Sequence, residues 1–237
     1  MRRFLFPLLL LLPLTTACDT PFGGSDGPGG KGDSFDNGEV DDQDDFFASN
    51  RFWFFQMRGL DARWLDTRNL IDGRGEPIEV CFEKEGPTLS IAMVDPTSPE
   101  QRDANNSAQG CYDIDELAEK NRVAYSTDSF CFRLSGNLTL GTPKPSFKVK
   151  LITKGSANKR FAKMKKFNLK SMWNDVSQMR ESIAWNMMKQ AKLPASRHTY
   201  GRLCMDPKGD GQKNNVYRGL FSIIEQVDTR FLKDRDP

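Results

Sequence analysis

The chain has 237 residues, with 34 Lys and Arg against 32 Asp and Glu and a formal charge of +2. That length holds one domain of ordinary size with a leader and a spacer. So even a balance gives no bulk electrostatic case for nucleic acid or for a strongly acidic partner. The single histidine, His198, excludes a histidine-rich metal site and would have to serve alone in any catalytic triad.

Residues 1–17 read as a signal peptide. Arg2 and Arg3 form the basic end, Phe4 to Leu14 a short apolar core, and Thr15, Thr16 and Ala17 the small residues before cleavage. The apolar run is too short for a permanent membrane helix. Cys18 follows directly, as in a bacterial lipobox. This predicts an exported protein of the cell envelope, held at a bacterial membrane by a lipid on Cys18.

Residues 18–50 carry no apolar periodicity. Gly23, Gly24, Gly27, Gly29, Gly30 and Gly32 predict a flexible coil, and the acids from Asp33 to Asp45 predict a self-repelling, disordered spacer. Reading Gly38 as the turn of a calcium loop puts Phe35 where an oxygen ligand is needed, so the spacer reading is preferred.

Residues 51–127 are the least informative. The aromatic group Phe46, Phe47, Phe52, Trp53, Phe54 and Phe55 predicts core. Glu79 to Phe82 and Leu89 to Val94 predict short strands, and Asp113 to Lys120 one or two helical turns. Cys81, Cys111, Cys131 and Cys204 allow two disulfides in any of three pairings. No CxxC pair exists, which argues against zinc and thioredoxin-like chemistry.

Residues 128–237 predict an α+β unit, an antiparallel sheet with one central helix. Phe130 to Leu134 alternates as a strand, and Ser135, Gly136 and Asn137 break it. Ser146 to Ile152 alternates again, with Lys148 and Lys150 opposite Phe147, Val149 and Leu151. A glycine turn followed by lysines on the next strand can cradle phosphates, or can be a plain hairpin with a wet basic face. Lys159 to Lys170 predicts a strand with a basic face. Asp175 and Gln178 form a capping-box pattern for a helix that Pro194 stops. Its stripes are Val176, Met179, Ile183, Met187 and, beside them, Ser177, Glu181, Ala184, Met188, Ala191. Glu181 is thus a lone acid on an apolar side, and a sheet lysine is its natural partner. Strands follow at Arg197 to Met205 and Val216 to Val227.

Several of these stretches resemble the spore coat protein H (CotH) kinase family. They are Met179 to Ala184, Leu193 to Arg197 with Tyr200, Tyr217 to Phe221, and Glu225 to Leu232. Arg133 to Asn137 and Pro145 to Lys150 resemble the family's glycine turn and basic strand. The resemblance spans Cys131 to about Asp234 and implies the N-terminal, nucleotide-binding lobe of an atypical protein-kinase-like fold. It implies ATP and Mg²⁺ as cofactors and phosphoryl transfer to protein hydroxyls. Gly136 and Asn137 would cover the phosphates, and Lys150 or Lys148 would contact them. Glu181 would pair with that lysine, and Glu225, Gln226 and Val227 would rest against adenine. The family's catalytic aspartate and metal ligands lie in a lobe beyond Pro237, so no catalytic residue is expected here and the chain as given should be inactive. The alternative is a non-catalytic surface or coat scaffold.

Overall fold

The computed structural model describes residues 40, 42–49, 51–84, 86–95, 110–136, 138–152, 160–207 and 215–233. The chain divides into two compact units, residues 1–35 and 36–237, and the described residues belong to the second. The signal peptide, Cys18, most of the spacer with its calcium-loop register, and Asn137 lie outside the described residues.

One nine-stranded sheet carries the fold. Its strands are β1 (Phe52–Leu60), β2 (Val80–Phe82), β3 (Thr88–Met93), β4 (Val123–Thr127), β5 (Phe130–Ser135), β6 (Ser146–Leu151), β7 (Lys166–Lys170), β8 (His198–Pro207) and β9 (Val216–Ile224). The spatial order is β2-β5-β6-β7-β9-β8-β1-β3-β4, and the sheet curls into a half-barrel. Among the described residues the α-helices are α1 (Gln43–Phe46), α2 (Ile114–Glu119), α3 (Arg180–Gln190) and α4 (Thr229–Lys233). The expected α+β class holds. Within residues 128–237 the expected antiparallel pairing is found in every ladder, while β1, from the preceding segment, makes the whole sheet mixed by pairing with β8 in parallel, Phe52 opposite Tyr200. The segment 51–127 supplies β1 to β4 of this same sheet.

Alternation explains which face is which. Phe147, Val149 and Leu151 of β6 are buried, as are Phe167 and Leu169 of β7 and Phe221 and Ile223 of β9. Each such side chain contributes about 1.5–3 kcal/mol by leaving water. Strand β1 is apolar at both parities because both its faces are covered. Trp53, Phe55 and Met57 join the main core, while Phe54 packs with Tyr112, Ile114 and Leu117 of the α2 region. Gly201 of β8 is required by close approach. A Cβ there would lie 2.9 Å from Trp53 O and 2.6 Å from Ile223 Cδ1.

The end of the acidic spacer is part of the fold. Asp42 caps α1, and Phe46 is fully buried, stacked on Trp53 at 4.6 Å between ring centroids. Trp53 Nε1 donates to Phe46 O at 2.8 Å. An aromatic pair at the end of an otherwise polar run therefore ends the solvated stretch before residue 50.

The cysteines pair as Cys81–Cys131 and Cys111–Cys204. The first bridge joins residues directly opposed on β2 and β5. The second ties the approach to α2 to β8.

Candidate functional site

Helix α3 starts later than its capping pattern predicts. Gln178 has φ 56°, left-handed backbone that cannot begin a helix, and the first helical residue is Arg180. Asp175 closes the preceding turn instead. It accepts from Ser177 Oγ at 2.6 Å, Ser177 N at 3.1 Å and Arg180 N at 2.8 Å. The Ser177 hydroxyl bond is the main reason its carboxyl is held below the usual range.

The helix also presents its faces differently. The predicted core stripe Val176, Met179, Ile183 and Met187 is 101%, 54%, 50% and 64% exposed, and no residue of α3 is fully buried. The half-buried positions are Glu181, Ser182, Trp185 and Met188. Of the other stripe only Glu181 and Met188 turn inward, joined by Ser182 and Trp185 from neither stripe, and Ser182 Oγ meets His198 Nε2 of β8 at 2.9 Å.

The polar face of the sheet assembles by register. Arg133 of β5 lies opposite Lys148, Lys148 opposite Asn168, and Asn168 opposite Ile224. Toward the strand ends that lead into Glu225, Lys150 lies opposite Lys166. Toward the end nearer the Gly136 turn, Lys170 lies opposite Ser222, and Ser222 opposite Tyr200. Side chains at these directly opposed positions share one face.

This register corrects the expected charge pair. Lys150 sits at the Glu225 end and bonds to Glu79 at 3.4 Å, not to Glu181. Lys148 is central, its pKa lowered by burial and then by Lys166, Arg133 and Lys170 around it. Lys170 is the base that acts on Glu181. Burial pushes the Glu181 carboxyl up, and Lys170 opposes that shift without a direct ion pair. Ser222 faces the same carboxyl, yet Glu181 Oε2 and Ser222 Oγ are both buried with no full hydrogen bond. An acid, a base and a hydroxyl thus converge with hydrogen-bonding capacity unspent.

Gly136 has φ +89°, and the turn after it is held by Thr139 Oγ1 donating to Ser135 O at 3.0 Å. Lys144 leaves this turn and donates to Leu220 O at 2.6 Å. Glu225 is 4% exposed, and its side chain is spent on Arg197, with Nη2–Oε1 at 2.7 Å. Arg197 also bonds Asp44 and Gln43 of α1. Asn168 Nδ2 donates to Gln226 Oε1 at 3.2 Å, and Val227 is exposed. Of the Glu225–Val227 trio, then, the first side chain is structural, the second is tied to the polar face, and the third is open.

The site is thus built on the strand order β5-β6-β7-β9-β8, with α3 on the polar face and its Glu181 within the electrostatic reach of Lys170 on β7. Residues 132–236 match the family model described as CotH kinase protein. The CotH-matched segment coincides with the stretch over which the sequence resembles that family. No curated protein matches the chain. Within the CotH segment, Lys170, Ser222, Asn168 and Arg197 were not singled out by sequence reasoning. The signal for the first existed: Lys166, Asn168 and Lys170 alternate on the strand that leads into the helix carrying Glu181.

Fit to the implied cofactors differs between the two. A cation row with an unspent acid and hydroxyl suits a polyphosphate. Among the described residues, the clustered set of three metal-ligating side chains is Glu79, Cys81 and Cys131, and its cysteines are joined to each other. No protein ligand set for Mg²⁺ follows from that.

Proposed function

We propose that residues 130–233 are the nucleotide-facing lobe of a CotH-type phosphotransferase that acts on protein hydroxyls. The observation that carries this is Glu181 of the helix lying within the electrostatic reach of Lys170, without a direct ion pair, at the glycine-turn end of the polar face. In phosphoryl transfer a lysine on the third lobe strand, oriented by a helix glutamate, neutralises nucleotide phosphates beneath a glycine-rich turn. Lys170 takes that part here, with Lys148 beside it and Gly136 in the covering turn. Adenine rests against the backbone of Gln226 and Val227. ATP with Mg²⁺ would supply the phosphoryl group and charge neutralisation; this lobe binds and orients the phosphates, with Glu181 positioning the lysine. Titration with a fluorescent ATP analogue tests the reading. Saturable binding that ATP competes away supports it, and no binding at millimolar nucleotide removes it.

The exposed stripe Val176, Met179, Ile183 and Met187 favours a second reading, a surface or coat scaffold that uses the lobe for protein contacts. Lack of nucleotide binding with retained partner capture through this stripe selects it. In either case we place the protein in the cell envelope, exported through residues 1–17 and lipid-anchored on Cys18. Fatty-acid labelling that survives Cys18→Ala would overturn the anchor.

A further inference from the structure

A groove of about 1050 Å³ runs between the chain entering β1, the last turns of α3 and the start of β8. Phe47, Trp185 and Leu193 give it an apolar floor. Arg51, Lys189 and Lys192 line it as cations. Among the described lining residues the one carboxylate is Asp44, and that group is committed to Arg197. Among the described residues, then, no lining acid offsets the three cations.

Two donors along the same groove are orphaned. Arg51 Nη1 and Trp185 Nε1 are both buried, and neither has an acceptor. A native structure rarely leaves such donors unused, so each marks a place where an acceptor is missing. Cations without anions, donors without acceptors and an apolar floor together describe the complement of carboxylates carried on an apolar body. The cations come from two separate walls, Arg51 before β1 and Lys189 and Lys192 at the end of α3. Drug-sized ligands fill pockets of about 300–1,000 Å³, so a groove at the top of that range with charges on both walls calls for an extended ligand.

We propose that this groove binds an acidic peptide segment of a partner protein. One aromatic or aliphatic side chain of the peptide lies on Phe47 and Trp185, and its carboxylates meet Arg51, Lys189 and Lys192. The assignment stands apart from the nucleotide reading, which uses Lys170 and Glu181.

The test is fluorescence anisotropy of the full chain with a labelled short peptide of Asp and Glu around one Phe. Its Asn and Gln counterpart is the neutral control. The acidic peptide is expected to bind about ten-fold tighter than the neutral one, and Lys189→Glu with Lys192→Glu to weaken it by about the same factor. Both lysines are exposed, and a thermal melt checks that the variant folds. Should that variant melt early, Lys189→Gln with Lys192→Gln replaces it. Reversal of Lys165 and Lys166, which lie away from the groove, is expected to change nothing. Equal binding of the neutral peptide, equal loss in both charge reversals, or equal competition by a free dicarboxylate each overturns the peptide assignment.

Discussion

Lys170 and Ser222 face each other across the β7–β9 ladder, and that pairing decides which lysine of the sheet meets Glu181. Lys170→Ala is expected to weaken ATP binding by about ten-fold or more, the scale of losing a charge-assisted phosphate contact. Lys150→Ala, whose side chain is paired with Glu79, is expected to leave binding nearly unchanged. Parallel titrations of both variants check this. The reverse ranking would return the role to β6.

Glu181 gives a pH signature. Burial raises its folded pKa above the ordinary carboxylate value, so the folded state holds the proton more tightly than the unfolded chain. Stability therefore falls as pH rises from the unfolded pKa through the raised folded one, and a constant penalty remains above it. Glu181→Gln is expected to raise the melting temperature at neutral pH, with the gain vanishing below the unfolded pKa. Melts from pH 3.5 to 8 read the difference. An equal gain at every pH would assign the effect to packing instead.

Arg197 is the pin at the Glu225 end of the sheet. Its partner Glu225 is 3% exposed at the side chain, and Arg197 itself is 22% exposed. Removing the guanidinium takes away the positive charge beside buried Glu225, so Arg197→Ala is expected to cost about 3–5 kcal/mol in chemical denaturation. Arg197→Met with Glu225→Leu removes both charges and is expected to recover part of that loss. A double variant no better than the single would place the loss in the contacts to Gln43 and Asp44.

The two disulfides are expected to differ in weight. Cys111–Cys204 closes 93 residues of sequence separation and Cys81–Cys131 closes 50. Chain entropy favours the longer loop only modestly, with each bridge worth about 2–4 kcal/mol. Cys111→Ser with Cys204→Ser is therefore expected to lower stability slightly more than Cys81→Ser with Cys131→Ser. Denaturant titrations of the two variants compare them, and peptide mapping without reduction checks the pairing itself.

The α3 stripe makes a prediction of near silence. Ile183→Gln and Met187→Gln should change folding stability by no more than about 0.5 kcal/mol, since exposed positions away from caps and cores rarely do more. A loss of several kcal/mol at either position would mean that the stripe is covered.

These cases show what the sequence makes legible. Strand β6 was readable because one face is apolar and one wet, so Phe147, Val149 and Leu151 announce their own alternation. Helix α3 was readable as a helix, but periodicity supplies two stripes without saying which one a sheet will cover. Here the inward face follows neither: it is Glu181, Ser182, Trp185 and Met188. The partner of Glu181 was harder still. Lys148, Lys150, Lys166 and Lys170 share a face, and only strand order and register separate the two ends of that face. The backbone at Gln178, left-handed in the structure, has no compositional signal in a residue other than glycine or asparagine. The parallel β1–β8 ladder was out of reach because nothing local in either strand records a partner so distant.

That ladder also sets an order of assembly. Strand β1 can close on β3 early, because their antiparallel register needs only nearby chain. Its other edge has no partner until the stretch beginning at His198 has left the ribosome. Until then Trp53, Phe54 and Phe55 belong to an unfinished sheet, and the domain locks late and together rather than piece by piece. Any factor that meets the nascent chain meets β1 with one backbone edge still open for pairing.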